Sequence, residues 1–339
     1  MKALKYIFFV LLILIIGAAI YIAVQPNSYT FERSRVIKAP TPVAYNIVND
    51  YKEWPRFSPW IEKDENAEIN YGEKTVGEGA NYSWDGDVLK AGNMMTENTV
   101  SNTSIKQQIN FTDHNSSATI NWTFEPVERG TKVTWGMSGE QDFMTKAMVA
   151  LSGPVEESLG PDFERGLNKL DSIARADISK FNISVNGLTQ YSGGFYLYTS
   201  ASTKMDNMTS KMQQLMSQVR GFAEENNVSV AGNPFVIYHK LDEQNNAVVF
   251  SYCIPTTSQV IVTESDILTG QIEPFKAVKT TLEGSYDNLQ PAWDKAMAYV
   301  EDNNLELPEN GMKIETYVTD PMNTPNPAKW LTEIYLEIE

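Results

Sequence analysis

An unbroken apolar run, Tyr6 to Val24, constrains this chain more than any other feature. It reads Tyr-Ile-Phe-Phe-Val-Leu-Leu-Ile-Leu-Ile-Ile-Gly-Ala-Ala-Ile-Tyr-Ile-Ala-Val and holds no charge. As a helix it is just long enough to span a bilayer. A cleaved signal peptide is the alternative, but its apolar region is normally shorter and ends in a small-residue cleavage site. Ala18, Ala19 and Ala23 are small, yet no clean site follows them. Residues 1–28 are therefore expected to form an uncleaved, single-pass signal anchor with a short polar tether. Lys2, Lys5 and the amino terminus flank one side, and Arg33, Arg35 and Lys38 lie further off on the other. By a small difference, the positive-inside rule puts the N-terminus in the cytoplasm and the soluble body outside it.

Charge and motif content then narrow the function. The 27 basic and 43 acidic residues leave a net charge of −16. That balance argues against nucleic acid or anionic lipid as the main partner of the body. Cys253 is the sole cysteine, so no internal disulfide can form, and its apolar run Val248–Pro255 marks it as a buried structural thiol. His114 and His239 are far apart and lack metal-ligand spacing, so no metal is expected. Neither a Gly-rich phosphate loop nor a Gly-x-Ser-x-Gly elbow is present. No catalytic residue set and no cofactor is assigned.

The chain beyond the anchor suffices for two domains. The first is expected over residues 29–176. It opens with a strand at Tyr29–Lys38 and a helix start at Ala39-Pro40-Thr41-Pro42, with Thr41 as N-cap and Pro42 as first helical residue. Short strands rich in Thr, Val, Ile, Trp and Asn follow. Phe163, Leu167, Leu170 and Ala174 then recur at helical spacing. These elements suggest a curved antiparallel sheet around a long helix, with a cavity between them.

This half resembles the SRPBCC superfamily, the START and polyketide-cyclase type. The resemblance rests on Val36-Ile37-Lys38-Ala39-Pro40, on Trp54-Pro55-x-Phe57-Ser58-Pro59-Trp60, and on Gly77-Glu78-Gly79-Ala80-x-Tyr82-x-Trp84. Gly130 to Trp135 and Gly160-Pro161-x-Phe163-Glu164-x-Gly166-Leu167 complete it. It implies a helix-grip fold with a deep apolar pocket for lipids or polyketides. Trp54, Trp60 and Trp84, with Trp122 and Trp135, are the candidate lining residues. Taken singly, each also reads as an ordinary packing residue.

Residues 177–190 lose the helical period and read as a linker. The second domain, residues 191–339, carries an internal repeat. A strand at Gly194–Tyr198, a helix striped with Met205, Met208, Met212, Leu215, Met216, Val219 and Phe222, and two further strands form a βαββ unit. The pattern recurs from Ala277, with Leu289, Trp293, Met297 and Val300 on the second helix. The expected fold class is thus α+β: a transmembrane helix, a helix-grip domain and a duplicated βαββ domain.

In the run Met312 to Pro321, Ile314, Thr316 and Val318 alternate with Glu315 and Tyr317. A carboxylate beside aromatic rings suits a cationic or hydrogen-bonding small molecule. The second half resembles the GyrI-like effector-binding domains of multidrug-responsive regulators. It does so through Gly232-Asn233-Pro234-Phe235-x-x-Tyr238-His239, Gly284-Ser285-Tyr286-x-x-Leu289 and Glu315-x-Tyr317-x-x-Asp320-Pro321. That resemblance implies an aromatic cleft between the repeats, with Glu315 as its carboxylate. Tyr317, Tyr238, Tyr286, Trp293 and Tyr196 are the candidate neighbours, and Glu333 is the competing carboxylate. The chain departs from the regulators in lacking a helix-turn-helix segment, so a transcriptional role is not implied. The expectation is a membrane-anchored, non-catalytic binder of a hydrophobic or cationic small molecule. A hydrolase or cyclase working in one of the pockets, and a lipid-binding envelope protein, are the alternatives.

Overall fold

The computed structural model describes residues 2–64, 66–112, 116–242, 244–263 and 265–339. His114 lies outside them. The chain forms two compact units, one ending at Asp177 and the other covering Ile178–Glu339.

The first unit begins with α1 (Lys2–Ala23), whose length and composition fit either a membrane span or a signal sequence. Then come β1 (Ser28–Ile37), α2 (Thr41–Asn49), and two short helices, α3 (Trp54–Phe57) and α4 (Pro59–Lys63). The strands β2 (Glu68–Tyr71), β3 (Asn81–Asp85), β4 (Gly92–Val100), β5 (Ser104–Phe111), β6 (Ser116–Val127) and β7 (Gly130–Glu140) follow. Helices α5 (Phe143–Ser152) and α6 (Val155–Ile178) close the unit. The sheet is antiparallel, in the order β1-β7-β6-β5-β4-β3-β2. Thr41 does not cap α2. It is the first helical residue, and its hydroxyl instead meets that of Thr131 at 3.0 Å.

The helical spacing read in the sequence is the buried stripe of α6: Phe163, Leu167, Leu170 and Ala174 are all enclosed. A glycine brings that helix close to the sheet. A Cβ on Gly166 would stand 2.6 Å from the Trp135 ring. Trp135 is stacked on both sides, by Phe163 at 4.1 Å and Trp122 at 4.4 Å between ring centroids. The space between sheet and helix is therefore filled by aromatic rings.

The second unit contains β8 (Asn182–Tyr191), β9 (Gly194–Lys204), α7 (Met208–Glu225), β10 (Phe235–Asp242) and β11 (Ala247–Thr256). It continues with β12 (Leu268–Ile272), β13 (Phe275–Glu283), α8 (Leu289–Asp302), β14 (Lys313–Tyr317) and β15 (Leu331–Glu337). Residues 177–190 are thus not a linker. Most of them belong to β8, which pairs with β13 along its length. As an edge strand β8 is half exposed, so polar residues interleave Ile183 and Val185 and give it a linker-like composition.

The strand order is β12-β9-β11-β10-β14-β15-β13-β8. Two residues join β8 to β9, yet these strands lie near opposite ends of that order. The sheet must therefore curl. At the turn Gly193 has a φ of +71°, and a Cβ there would stand 2.2 Å from the Ile272 carbonyl oxygen, so glycine is required. Helix α7 packs on β9 and β11, and α8 packs on β13, β8 and β15, which leaves β10 and β14 between the two helices.

Candidate functional site

The middle of the second sheet carries the site. Glu315 on β14 pairs in register with Val236 on β10 and Ile334 on β15. Successive strand residues point to opposite faces. Ile314 therefore joins Phe235, Ile237 and Cys253 in one core cluster, while Glu315 turns to the helix-bearing face. It is 1% exposed.

Three uncharged donors meet this carboxylate. Its Oε2 accepts from the Tyr238 and Tyr317 hydroxyls, each at 2.9 Å. Its Oε1 accepts a short hydrogen bond from Trp293 Nε1 on α8. The Tyr238 and Trp293 rings meet edge-on at 5.7 Å. Tyr286, in the turn before α8, lies edge-on to Tyr317 at 5.3 Å and tilts over Trp330 at 4.7 Å. The Tyr317 hydroxyl also lies 3.6 Å from the Met212 sulfur on α7. Both helices thus contribute to the surroundings of one buried carboxylate.

Burial drives the electrostatics. It pushes the Glu315 carboxyl above its ordinary range, and the bonds from Trp293, Tyr317 and Tyr238 pull it partly back. Burial, with the carboxylate beside them, pushes the Tyr238 and Tyr317 hydroxyls well up. Tyr286 is raised to about 12, mainly by burial. At neutral pH the hydroxyls are therefore protonated donors. Among the described residues, no lysine or arginine pairs with Glu315. A carboxylate offers about four lone-pair sites. With three engaged, acceptor capacity remains on the carboxyl group, and aromatic rings surround it.

Of the residues expected around the Glu315 carboxylate, Tyr238, Tyr286, Trp293 and Tyr317 gather there. Tyr196 does not. It packs with Tyr198 and Phe235 on the opposite face of the sheet. Phe235 pairs with Thr316, one residue from Glu315, and that single step reverses the face. Glu333 is on the Tyr196 side as well, bonded to Lys279 at 2.8 Å and to the Tyr335 hydroxyl at 2.6 Å. Sequence reasoning missed Trp330 and did not single out Met212 as a neighbour of Glu315. The second lay in the methionine stripe, whereas nothing local marks the first, which reaches Tyr286 from the loop before β15.

The tryptophans of the first unit take different places. Trp54 is fully buried, donates from Nε1 to the Val48 carbonyl at 2.9 Å, and meets Trp122 and Trp135 edge-on. Trp84 is buried beside Tyr82 and Phe111. Trp60 is partly exposed and covers the outer edge of the Trp135–Phe163 stack. Among the described residues, Trp84 Nε1 and Trp135 Nε1 are buried donors without a hydrogen-bond partner.

The second unit is thus a curled sheet with a buried, hydrogen-bonded carboxylate between two helices. Comparison with known families gives the particulars. Residues 196–339 match the GyrI-like small molecule binding domain. Residues 28–175 match the polyketide cyclase/dehydrase and lipid transport family. An SRPBCC-type domain followed by a GyrI-like domain is thus the composition of this chain. Among solved structures, the EcmrR C-terminal domain is 20% identical, covers 47% of this chain and 98% of its own, and has a TM-score of 0.41. An EcmrR–DNA complex is 17% identical over 58% of this chain and 71% of that one, with a TM-score of 0.41. SA2116 from Staphylococcus aureus, a protein of unknown function, is 16% identical over 45% and 97%, with a TM-score of 0.36. No curated protein matches the chain.

Proposed function

We propose that this protein is a membrane-anchored receptor for a lipophilic cation, which it binds without turnover at Glu315 in the GyrI-like domain. The observation that supports the reading most is the buried carboxylate held by three neutral donors. An isolated buried charge is costly, and a cation seated on the aromatic rings would offset that cost. In this reading Tyr238, Tyr286, Trp293 and Tyr317 line the cleft, and Trp54, Trp60 and Trp84 shape the SRPBCC interior. The two strand-helix-strand-strand runs form a duplication with the cleft on its pseudo-twofold axis. The helix α1 anchors the chain, with the body on the extracytoplasmic side.

Calorimetric titration of tetraphenylphosphonium into the wild type and Glu315→Gln tests the cleft. The substitution keeps shape and removes charge. A loss of about 1–3 kcal/mol is expected, the range for a hydrogen bond to a charged group or a desolvated cation–π contact. Equal affinities would remove Glu315 from the binding role. A second reading is favoured by the raised carboxyl beside two tyrosine hydroxyls: general-base hydrolysis of a neutral electrophile. Release of product from a neutral ester by the wild type but not by Glu315→Gln would replace binding with turnover.

A further inference from the structure

Helix α5 exposes an apolar face next to the exit of α1. Its sequence, Phe-Met-Thr-Lys-Ala-Met-Val-Ala-Leu-Ser, holds one charge, and that residue, Lys146, is buried. Lys146 Nζ points to the end of α1. It bonds Asn27 Oδ1 and lies 3.4 Å from the Ala23 carbonyl oxygen. The Gln141 amide donates to the Asn27 carbonyl at 2.7 Å and holds the same corner. Phe143, Met144, Met148 and Leu151 point outward, at 50%, 69%, 62% and 91% exposure. At about 100° per residue these four positions fall on one face of the helix. Soluble surfaces seldom carry such a contiguous apolar patch.

We propose that α5 is a second membrane contact, lying in the interface of the bilayer that α1 enters. The proposal rests on the anchor reading of α1. The apolar span Leu4–Ala23 has 20 residues, about 30 Å of helix, which matches the hydrocarbon thickness of a bilayer. Its last residue is the one that Lys146 contacts. With the span inserted, α5 sits at the level of the headgroup boundary, where an apolar helical face is buried by a few ångströms. Its single cation is already bound inward, so the outward face meets the acyl region without a charge to desolvate. The contact is hydrophobic rather than electrostatic, in keeping with the acidic body. Two points then fix the first domain on the membrane, and the chain cannot swivel freely about its tether.

The test uses the full chain in phosphatidylcholine vesicles. Met148→Cys is labelled with an environment-sensitive nitrobenzoxadiazole probe, since Cys253 is buried and does not compete. Glu128→Cys serves as reference. It lies in the β6–β7 turn, at the end of β1 opposite α1, because Ser28 pairs with Glu140 and Ile37 with Thr131. Ten strand residues separate those ends by roughly 30 Å. The probe at 148 should be blue-shifted and quenched at least twofold more by nitroxides near the headgroup than by nitroxides at mid-chain. The probe at 128 should respond to neither. A water-like probe at 148, in a chain that alkaline carbonate fails to release, would overturn the proposal and leave the anchor standing. Release by carbonate would overturn both.

Discussion

Replacing Tyr238 by phenylalanine isolates one of the three bonds that hold the Glu315 charge. The hydroxyl lies 2.9 Å from Oε2, and the ring can keep its edge-on contact with Trp293. A hydrogen bond to a charged group contributes about 1.5–3 kcal/mol, and one to a neutral group about 0.5–1.5. The ionised carboxyl therefore loses about 1–2 kcal/mol more than the neutral one, and its pKa moves further up. Tetraphenylphosphonium keeps its charge at every pH, so the pH dependence of its binding reports the protein alone. In the wild type, affinity should rise with pH as Glu315 ionises. In Tyr238→Phe the same rise should come at higher pH. Below both midpoints the variant should bind roughly five- to thirtyfold more weakly, and the difference should close as pH rises past them.

Stability provides a second readout. The folded pKa of Glu315 lies above its ordinary value of 4.5. Its favourable contribution is therefore complete below pH 4.5 and is lost as pH rises through the folded value. The substitution extends that window upward. Tyr286→Phe is the control, because its ring neighbours Tyr317 while its hydroxyl does not bond Glu315. A binding midpoint that stays in place in Tyr238→Phe, or moves as far in Tyr286→Phe, would refute this account of the site.

Other outcomes follow from groups away from the cleft. Trp135→Ala should cost about 3–5 kcal/mol in urea denaturation, because it removes a ring stacked on both faces. Asp64 is held below its ordinary 3.8 by the Leu89 and Val88 amides. Asp64→Asn should thus lower the melting temperature at pH 7, and the difference from wild type should vanish as pH falls below 3.8 and the wild-type carboxyl is protonated. Cys253 is buried, and its thiol is pushed well up by desolvation. It should resist a disulfide reagent at pH 8 until urea unfolds the chain, and rapid labelling of the native protein would contradict its placement.

Periodicity made the α6 stripe legible, because one face of a helix must be apolar to pack. The same logic placed Glu315 and Tyr317 on one face of one strand. It did not place Tyr196, since alternation orders residues within a strand and says nothing about registry between strands. Only the Phe235–Thr316 pairing shows that Tyr196 and Glu315 stand on opposite sides. Of the tryptophans in the first-domain motifs, Trp54 and Trp84 are buried, whereas Trp60 stays partly exposed. Whether an inward ring borders a space or fills it depends on what faces it, and Trp135 faces Phe163. The strand β8 was hidden by its own half-exposure. Trp330 was hidden because a loop delivers it.

The crossed pairing of β8 with β13 and β12 with β9 has a consequence during synthesis. When residues up to Thr256 have left the ribosome, β9 and β11 can already pair, but the outer edge of β9 stays bare until Leu268–Ile272 emerge. Likewise β8, made first, has no partner until Phe275–Glu283 arrive. Neither half of the domain closes its own edges. The nascent chain therefore carries open strand edges, the surfaces most prone to pairing with other chains. A translational pause in the stretch between β11 and β12 should raise misassembly more than one placed before β8.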